Sequence, residues 1–156
     1  MEVLEVKSGL RKPVVVRGAE EKDFKILTKR QYSFRWKALK GVAEIYKLHI
    51  EEEEDILGVM GLVYVPEDKR IEIRLLANAK ENKGRNKVYD RVAGCLIAFA
   101  CNLAAEKYKK DACVSLLPKT NLVKHYMHKY HMVHKGRQLC LEDETLDYIL
   151  NKYFYV

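Results

Sequence analysis

The sequence predicts one mixed α/β (α+β) domain. Its central sheet combines an antiparallel meander with a parallel crossover strand, and helices cover both faces. Three strand-like runs, residues 42–50, 56–65 and 70–77, follow one another across short polar links, as an antiparallel meander requires. A charge-free run, residues 92–105, then places Val92, Leu96, Phe99 and Leu103 on one stripe at the helical period. Strand-like segments flank that helix on both sides, so the second should lie parallel to the first. At 156 residues the chain is long enough for a single domain to bury about 68–70% of its unfolded surface.

The elements can be justified in order. Residues 13–17 (PVVVR) are a β-branched run closed by Gly18, a first strand. Residues 19–29 read as a helix. Glu20 and Glu21 open it and lysines close it, the charge order a helix dipole favours, and Phe24, Ile26 and Leu27 give it an apolar side. In residues 30–40 the aromatics Tyr32, Phe34 and Trp36 alternate, which fits a strand, a turn or a short second helix, either as core or as a substrate wall. The link EEEED at 51–55 fits a solvated hairpin tip. In the last meander strand Ile71, Ile73 and Leu75 alternate with Glu72, Arg74 and Leu76, giving one apolar face. Residues 112–117 are a short apolar strand stopped by Pro118. Residues 120–130 follow as a helix with Thr120 as its cap, residues 132–141 as a strand, and residues 142–154 as a closing helix.

Composition narrows the function classes. An apolar share of 48% and a charged share of 33% belong to a folded domain, not a disordered chain. The opening MEVLEVKSG has no apolar h-region and no run is long enough to span a bilayer, so a cytoplasmic protein without a membrane segment is expected. The four cysteines lack C-x-x-C spacing and sit among apolar residues, which points to reduced, buried thiols. His125, His128, His131 and His134 recur every third residue. That run crosses a predicted helix-to-strand boundary with no Asp, Glu or Cys to complete a site, so no metal is expected. One or two of these histidines would instead line an acceptor cleft. The net charge of +7 suits a polyanionic ligand or partner. Because Lys and Arg are spread along the chain without an RRM, KH or helix-turn-helix signature, a dedicated nucleic-acid module is not expected.

Residues 80–105 carry the chemistry. Lys80, Lys83, Arg85, Lys87 and Arg91 face only Glu81 and Asp90, and the turn Val92-Ala93-Gly94 has little side-chain bulk. A helix starts there, and its free N–H groups with the positive dipole end form an anion site. The competing reading is an ordinary core helix capped by Asp90, whose carboxylate opposes an anion.

This element order, with this loop and helix, resembles the GNAT superfamily of acetyl-CoA-dependent N-acetyltransferases over residues 56–132. The first block has Asn82 in the loop, Tyr89 before the turn, and Arg91-Val92-Ala93-Gly94 at the turn, followed by Cys95-Leu96-Ile97-Ala98-Phe99-Ala100. The second is His125-Tyr126-Met127-His128-Lys129-Tyr130-His131-Met132. Arg91 replaces the first Gly of the family's turn, and Val88 stands where its commonest motif has Gln or Arg. Gapless alignment on Met132 sets Met127 at the acid-Tyr position, with Tyr126 one residue away. One closing strand and a helix stand where the family often has a strand pair.

The resemblance implies a single GNAT-like domain that moves acetyl from acetyl-CoA to a primary amine of a small molecule, peptide or protein, by direct attack in a ternary complex. It implies cofactor contacts at Leu75, Leu76 and Ala77, where pantetheine would add like a strand. It implies others along the loop and turn, at Asn82, Lys83, Gly84, Arg85, Tyr89, Arg91, Val92, Ala93 and Gly94, and at Asn121. Arg91 would meet a phosphate directly. Glu72, directly or through water, would accept the ammonium proton, and Tyr126 would return a proton to the departing thiolate. Two other readings remain: a GNAT-fold cofactor-binding or regulatory module that has lost catalysis, suggested by Arg91 and Met127, and a basic RNA- or ribosome-associated protein. Oligomeric state stays open, a homodimer included.

Overall fold

The computed structural model describes residues 1–156. Its strands are β1 (Glu2–Glu5), β2 (Arg11–Gly18), β3 (Glu44–Ile50), β4 (Gly58–Val65), β5 (Arg70–Asn78), β6 (Tyr89–Asp90), β7 (Cys113–Leu116), β8 (Val133–Lys135) and β9 (Gln138–Glu142). They form one sheet in the order β6-β1-β2-β3-β4-β5-β7-β9-β8. Every neighbouring pair is antiparallel except β5 and β7, the expected crossover pair. The helices are α1 (Lys29–Tyr32), α2 (Val92–Tyr108), α3 (Val123–Tyr130) and α4 (Asp143–Ile149), the last extended by a π turn at Leu150–Phe154. No helix is long and apolar enough to cross a membrane.

The charge-free stripe decides the main core. α2 packs on β4, β5 and β7, and Leu96 and Ile97 lie fully buried in one cluster with Met60, Leu62, Ile71 and Ile73. A smaller core fills the other face, where Trp36, Leu27 and Tyr32 meet Ile45, Val59 and Ala77. Trp36 is 0% exposed and donates its indole N–H to the Tyr32 carbonyl at 2.9 Å; Tyr32 donates its hydroxyl to the Ile56 carbonyl at 2.8 Å. Those two aromatics are core, while Phe34 stays half-exposed.

Several expectations are corrected. The sequence reading had no element at β1, whose short Glu2–Glu5 run buries only Val3. Residues 19–29 are not one helix. A 3₁₀ turn, Glu21–Lys25, is fixed by the Asp23 carboxylate, which accepts the Glu20 N–H at 2.7 Å and pairs with Lys47 at 2.8 Å. Only then does the one-turn α1 start, with the Thr28 hydroxyl accepting the Gln31 N–H, and it stops at Ser33, whose φ is 71°. Thr120 does not cap α3; a 3₁₀ turn, Thr120–Leu122, leads into it. The single strand expected at 132–141 is the hairpin β8–β9, turned at Gly136 with φ 62°. The final strand pair is therefore present.

β5 carries a register break. Gly61 pairs with Leu75 but Leu62 pairs with Ile73, which leaves Arg74 without a partner on β4, a β-bulge. The bulge reverses side-chain parity. Ile71 and Ile73 join the α2 core, whereas Ala77 joins the Trp36 core with Leu75 packed against it. The single apolar face expected from the alternation of Ile71, Ile73 and Leu75 is thus split between the two cores.

Glycines set how closely α2 approaches its neighbours. A Cβ at Gly94 would lie 2.2 Å from the Tyr153 ring, and one at Gly58 would lie 2.6 Å from Val92. Gly94→Ala should gain up to about 1 kcal/mol of helix propensity yet lose about 1–3 kcal/mol to overpacking. A net loss is expected in urea unfolding of the wild-type background. In a Tyr153→Ala background the same substitution should be neutral or stabilising, because only the propensity term remains.

Candidate active site

β5 and β7 run side by side only from Arg70–Ile73 and Cys113–Leu116. Past that point β5 continues to Asn78 beside β4 alone, while the other chain leaves at Leu117 and Pro118, a residue with no N–H to offer a ladder. A cleft of about 610 Å³ opens where they part. Leu75, Leu76, Ala77 and Asn78 line it, with residues 82–84, Lys87 and the start of α2 on one side and Tyr126, Lys129 and Tyr130 of α3 on the other. Phe34 and Lys119 stand at its mouth, the ammonium 5.7 Å from the ring centroid. Asn78 donates its amide N–H to the Asn82 carbonyl at 3.3 Å, but its own Oδ1 is buried without a hydrogen-bond partner.

The loop before α2 is held from within. Asn82 is 1% exposed; its amide donates to the Leu57 carbonyl at 3.2 Å and its Oδ1 accepts the Tyr89 N–H at 3.0 Å. Both ends of that side chain brace the loop. Gly84 turns it with φ 72°, Lys83 donates to the Ser33 hydroxyl, and the Tyr89 hydroxyl donates to Glu5 at 3.4 Å. The first helical bond of α2 runs from the Cys95 N–H to the Arg91 carbonyl at 3.0 Å. The N–H groups of Val92, Ala93 and Gly94 precede that bond, and Val92 and Ala93 border the cleft. Gly94 is buried against Tyr153, and Arg85 and Asn121 are exposed outside the lining.

Arg91 and Asp90 differ most from expectation. Asp90 is not the cap: Arg91 is, in a left-handed conformation with φ 76°. The Asp90 carboxylate accepts the Arg91 N–H at 2.9 Å and pairs with Lys87 at 3.3 Å. Burial pushes its pKa up, but that N–H and the Lys87 ammonium outweigh burial and hold it below the usual carboxylate range. The Arg91 guanidinium donates to the Glu2 carbonyl at 3.3 Å and the Lys152 carbonyl at 2.8 Å, and lies 4.6 Å from the Tyr153 ring centroid. It is committed to packing between the first strand and the last turn. Arg91 thus borders the cleft while its charge is engaged elsewhere.

The two proton-transfer candidates separate. Tyr126 lines the cleft, 5.8 Å from the Tyr130 ring, and burial raises its pKa, so it holds its proton at neutral pH. Met127 is exposed and does not line the cleft. Glu72 also lies outside it. Its carboxylate accepts from Arg74 at 2.6 Å, from Arg70 at 3.4 Å and from Gln138 at 3.5 Å. It precedes the bulge and pairs with Ser115, where β5 and β7 are still joined. His125 does line the cleft, and burial with the nearby Lys129 and Lys87 charges lowers its pKa, favouring the neutral ring. The other histidines do not converge on it; His131 stacks on Tyr148 at 3.9 Å. Of the aromatics offered as a substrate wall only Phe34 lines the cleft, and sequence reasoning missed Lys119 and Lys129 as lining residues and the unpaired oxygen of Asn78. Lys119 and Asn78 stand at or just past a strand end, and Lys129 lies on the short helix α3, beside its apolar residues Val123, Tyr126 and Tyr130.

No protein-family model matches the sequence, and no curated protein matches it. Solved structures do match the fold. The spermidine N-acetyltransferase SpeG K23-Y30 chimera from Vibrio cholerae and hSSAT aligns with 88% of this chain and 99% of its own, at 13% identity and a TM-score of 0.61. A GNAT family acetyltransferase from Brucella melitensis in complex with acetyl-CoA aligns with 84% of this chain and 88% of its own, at 15% identity and a TM-score of 0.56. AtaT complexed with acetyl-methionyl-tRNAfMet aligns with 88% and 99%, at 10% identity and a TM-score of 0.54. The chain has the GNAT fold.

The geometry of Arg91 makes a separable prediction. Arg91→Ala should lower unfolding free energy by about 2–3 kcal/mol through the lost charge-assisted bonds. Arg91→Gly should lower it by about 1 kcal/mol less, because glycine accepts the left-handed backbone. Urea denaturation of both variants measures the difference, and equal losses would show that the backbone conformation carries no strain.

Proposed function

We propose that the chain is an acetyl-CoA-dependent N-acetyltransferase acting on a primary amine. One observation carries this reading: within a GNAT fold, β5 parts from β7 beside the N-terminus of α2. The parting gathers an unpaired strand edge, free helix amides and an unsatisfied amide oxygen in a single cleft. The residues fit the coenzyme. The exposed edge of Leu75–Ala77 suits a pantetheine arm added like a strand, and Asn78 Oδ1 suits one of its N–H groups. The Val92 and Ala93 amides suit a diphosphate, with the Lys83, Lys87 and Lys129 charges close by. The coenzyme, when bound, supplies an acyl group activated as a thioester.

The chain's own residues then have defined work. Holding amine and thioester in register supplies most of the rate. A backbone amide on the β5 edge would stabilise the developing oxyanion, a contribution of about 3–4 kcal/mol. As the C–N bond forms and the C–S bond breaks, one proton must leave nitrogen and one must reach sulfur. His125, neutral at pH 7, would take the first in place of Glu72, and Tyr126 would give the second. A second reading, a module that binds the coenzyme without catalysis, is favoured by the absence of a free carboxylate in the cleft and by Arg91 at the turn.

Calorimetry with acetyl-CoA, followed by coenzyme A release across an amine panel, separates the two. Tight binding with turnover is expected; tight binding without turnover on any amine supports the second reading, and no binding removes both. Tyr126→Phe should cut kcat about 10²–10⁴-fold while acetyl-CoA affinity changes little. An unchanged kcat would take the acid role from Tyr126.

A further inference from the structure

We propose that Cys113 and Cys140 form a redox-active dithiol, in which a small hydroperoxide oxidises Cys140 and Cys113 then closes a disulfide between β7 and β9. The four cysteines have no C-x-x-C spacing, and the fold divides them into two kinds. Cys95 and Cys101 lie on α2 inside the main apolar core, both 0% exposed. Cys113 and Cys140 are nearly as buried yet belong to neither core cluster. Both line a second cleft, of about 450 Å³, which shares no lining residue with the candidate active site. Register brings them together. Ser115 pairs with Cys140 and Cys113 with Glu142 across the antiparallel strands, so the two cysteines are diagonal neighbours on one face. Val114, Leu116, Leu139 and Leu141, at the alternate positions, fill the α2 core. The parity that buries those four side chains sets both thiols on the polar face.

The surroundings favour a thiolate at Cys140. Arg70, Lys135 and Arg137 meet Asp68, Asp111 and Glu142 in the cleft lining. Each carboxylate already has a cation: Asp68 pairs with Arg70 at 3.2 Å, Asp111 with Lys69 at 3.1 Å and Glu142 with Lys135 at 2.6 Å. Arg137 is exposed and has no carboxylate partner. Arg70 also donates to Ser115 at 2.7 Å and to Gln138 at 3.2 Å, which holds its charge beside the pair. The Cys113 S–H donates to the Cys140 sulfur. That bond first, then the Lys135 and Arg70 charges, bring the Cys140 thiol down to about 7, while burial and Glu142 act the other way. Cys113 is pushed up, by the shared hydrogen bond first and by burial next. Cys140 is therefore the nucleophile and Cys113 its proton-bearing partner. Burial pushes the Cys95 and Cys101 thiols up, which leaves both inert.

The hydroperoxide is the only oxidant required. The Cys140 thiolate attacks the terminal peroxide oxygen; an S–O bond forms as O–O breaks, and the departing alkoxide takes up a proton as the alcohol. Cys113 then attacks the sulfenic sulfur, S–S forms, S–O breaks and water leaves. The two thiols lose two electrons to the peroxide, and their two protons leave in the alcohol and the water. Diagonal neighbours stand about 7–8 Å apart, whereas a disulfide spans about 4.4–6.8 Å between Cα atoms. Closure therefore draws β9 along β7. Only the three-residue β8 lies beyond β9 at this end of the sheet, so little packing opposes that shift. A bond closed under such strain is readily reduced again.

This site is independent of acetyl transfer, and its test uses the reduced full chain with hydrogen peroxide and no acetyl-CoA. Intact mass should fall by about 2 Da as two thiol hydrogens are lost. Peptide mapping should show Cys113 joined to Cys140, and dithiothreitol should restore the starting mass. In Cys113→Ser the reaction should stop at a sulfenic acid on Cys140, trapped by dimedone. In Cys140→Ser oxidation should slow about tenfold or more and give no cross-link. The wild-type rate should rise with pH through about 7 and level off above it, the sign expected for a thiolate, and Lys135→Gln should move that rise to higher pH. No oxidation of the pair, first oxidation at Cys95 or Cys101, a cross-link between two molecules in place of the internal one, or a rate flat across that pH range would overturn the proposal. Equal rates in wild type and Cys140→Ser would do the same. If either variant fails to fold, the wild-type peptide map and pH profile decide alone.

Discussion

The whole site depends on β5 and β7 staying together for only four residue pairs. A parallel pair that continued would satisfy its own backbone groups and close the sheet. Two local facts prevent it. The bulge at Arg74 turns β5 and swaps which side chains face α2, and Pro118 ends any ladder from the other chain. The parted ends expose backbone in a place where both faces are already covered by packed cores. An edge that would invite aggregation on an open sheet is here recessed beneath α3 and the Phe34 arm.

The start of α2 is positioned by contacts that leave little freedom. Gly58 and Gly94 let the helix lie against β4 and Tyr153, and Arg91 ties its first turn to backbone at both Glu2 and Lys152. A left-handed arginine costs roughly 1–2 kcal/mol, which its charge-assisted bonds offset at about 1.5–3 kcal/mol each. This arrangement explains how a left-handed turn position, the conformation glycine accepts most readily, holds a large cation instead. The side chain runs back over Tyr153 to the Glu2 and Lys152 carbonyls.

Much of this was readable from residue order. The meander, the central helix and the parallel return came from strong periodicities, and the tertiary structure kept them. Residues 19–29 failed because Asp23 uses its carboxylate for the Glu20 N–H and Lys47, a local bond that competes with helix. The hairpin at Gly136 was hidden in what read as one strand. Glu72, which the resemblance implied as the proton acceptor, lies outside the cleft because it sits where β5 and β7 are still paired, and where that pairing ends is not written in the residue pattern. Asn82, implied by the resemblance as a cofactor contact, has both ends of its side chain engaged in bracing the loop. The basic loop before α2 was visible in the sequence, whereas Lys119 and Lys129, which line the same cleft from a distant segment, were not.

One atom sets a preference among ligands. Asn78, a residue of the cleft lining, is oriented by its bond to the Asn82 carbonyl, and its Oδ1 is left buried and unmatched. Leaving a buried acceptor unmatched costs about 1–3 kcal/mol. A molecule offering an N–H at that spot recovers this energy, while one offering a carbonyl adds a second lone pair to the first. A ligand that reached this oxygen would be sorted by hydrogen-bond polarity as well as by charge, a filter that high salt would leave untouched.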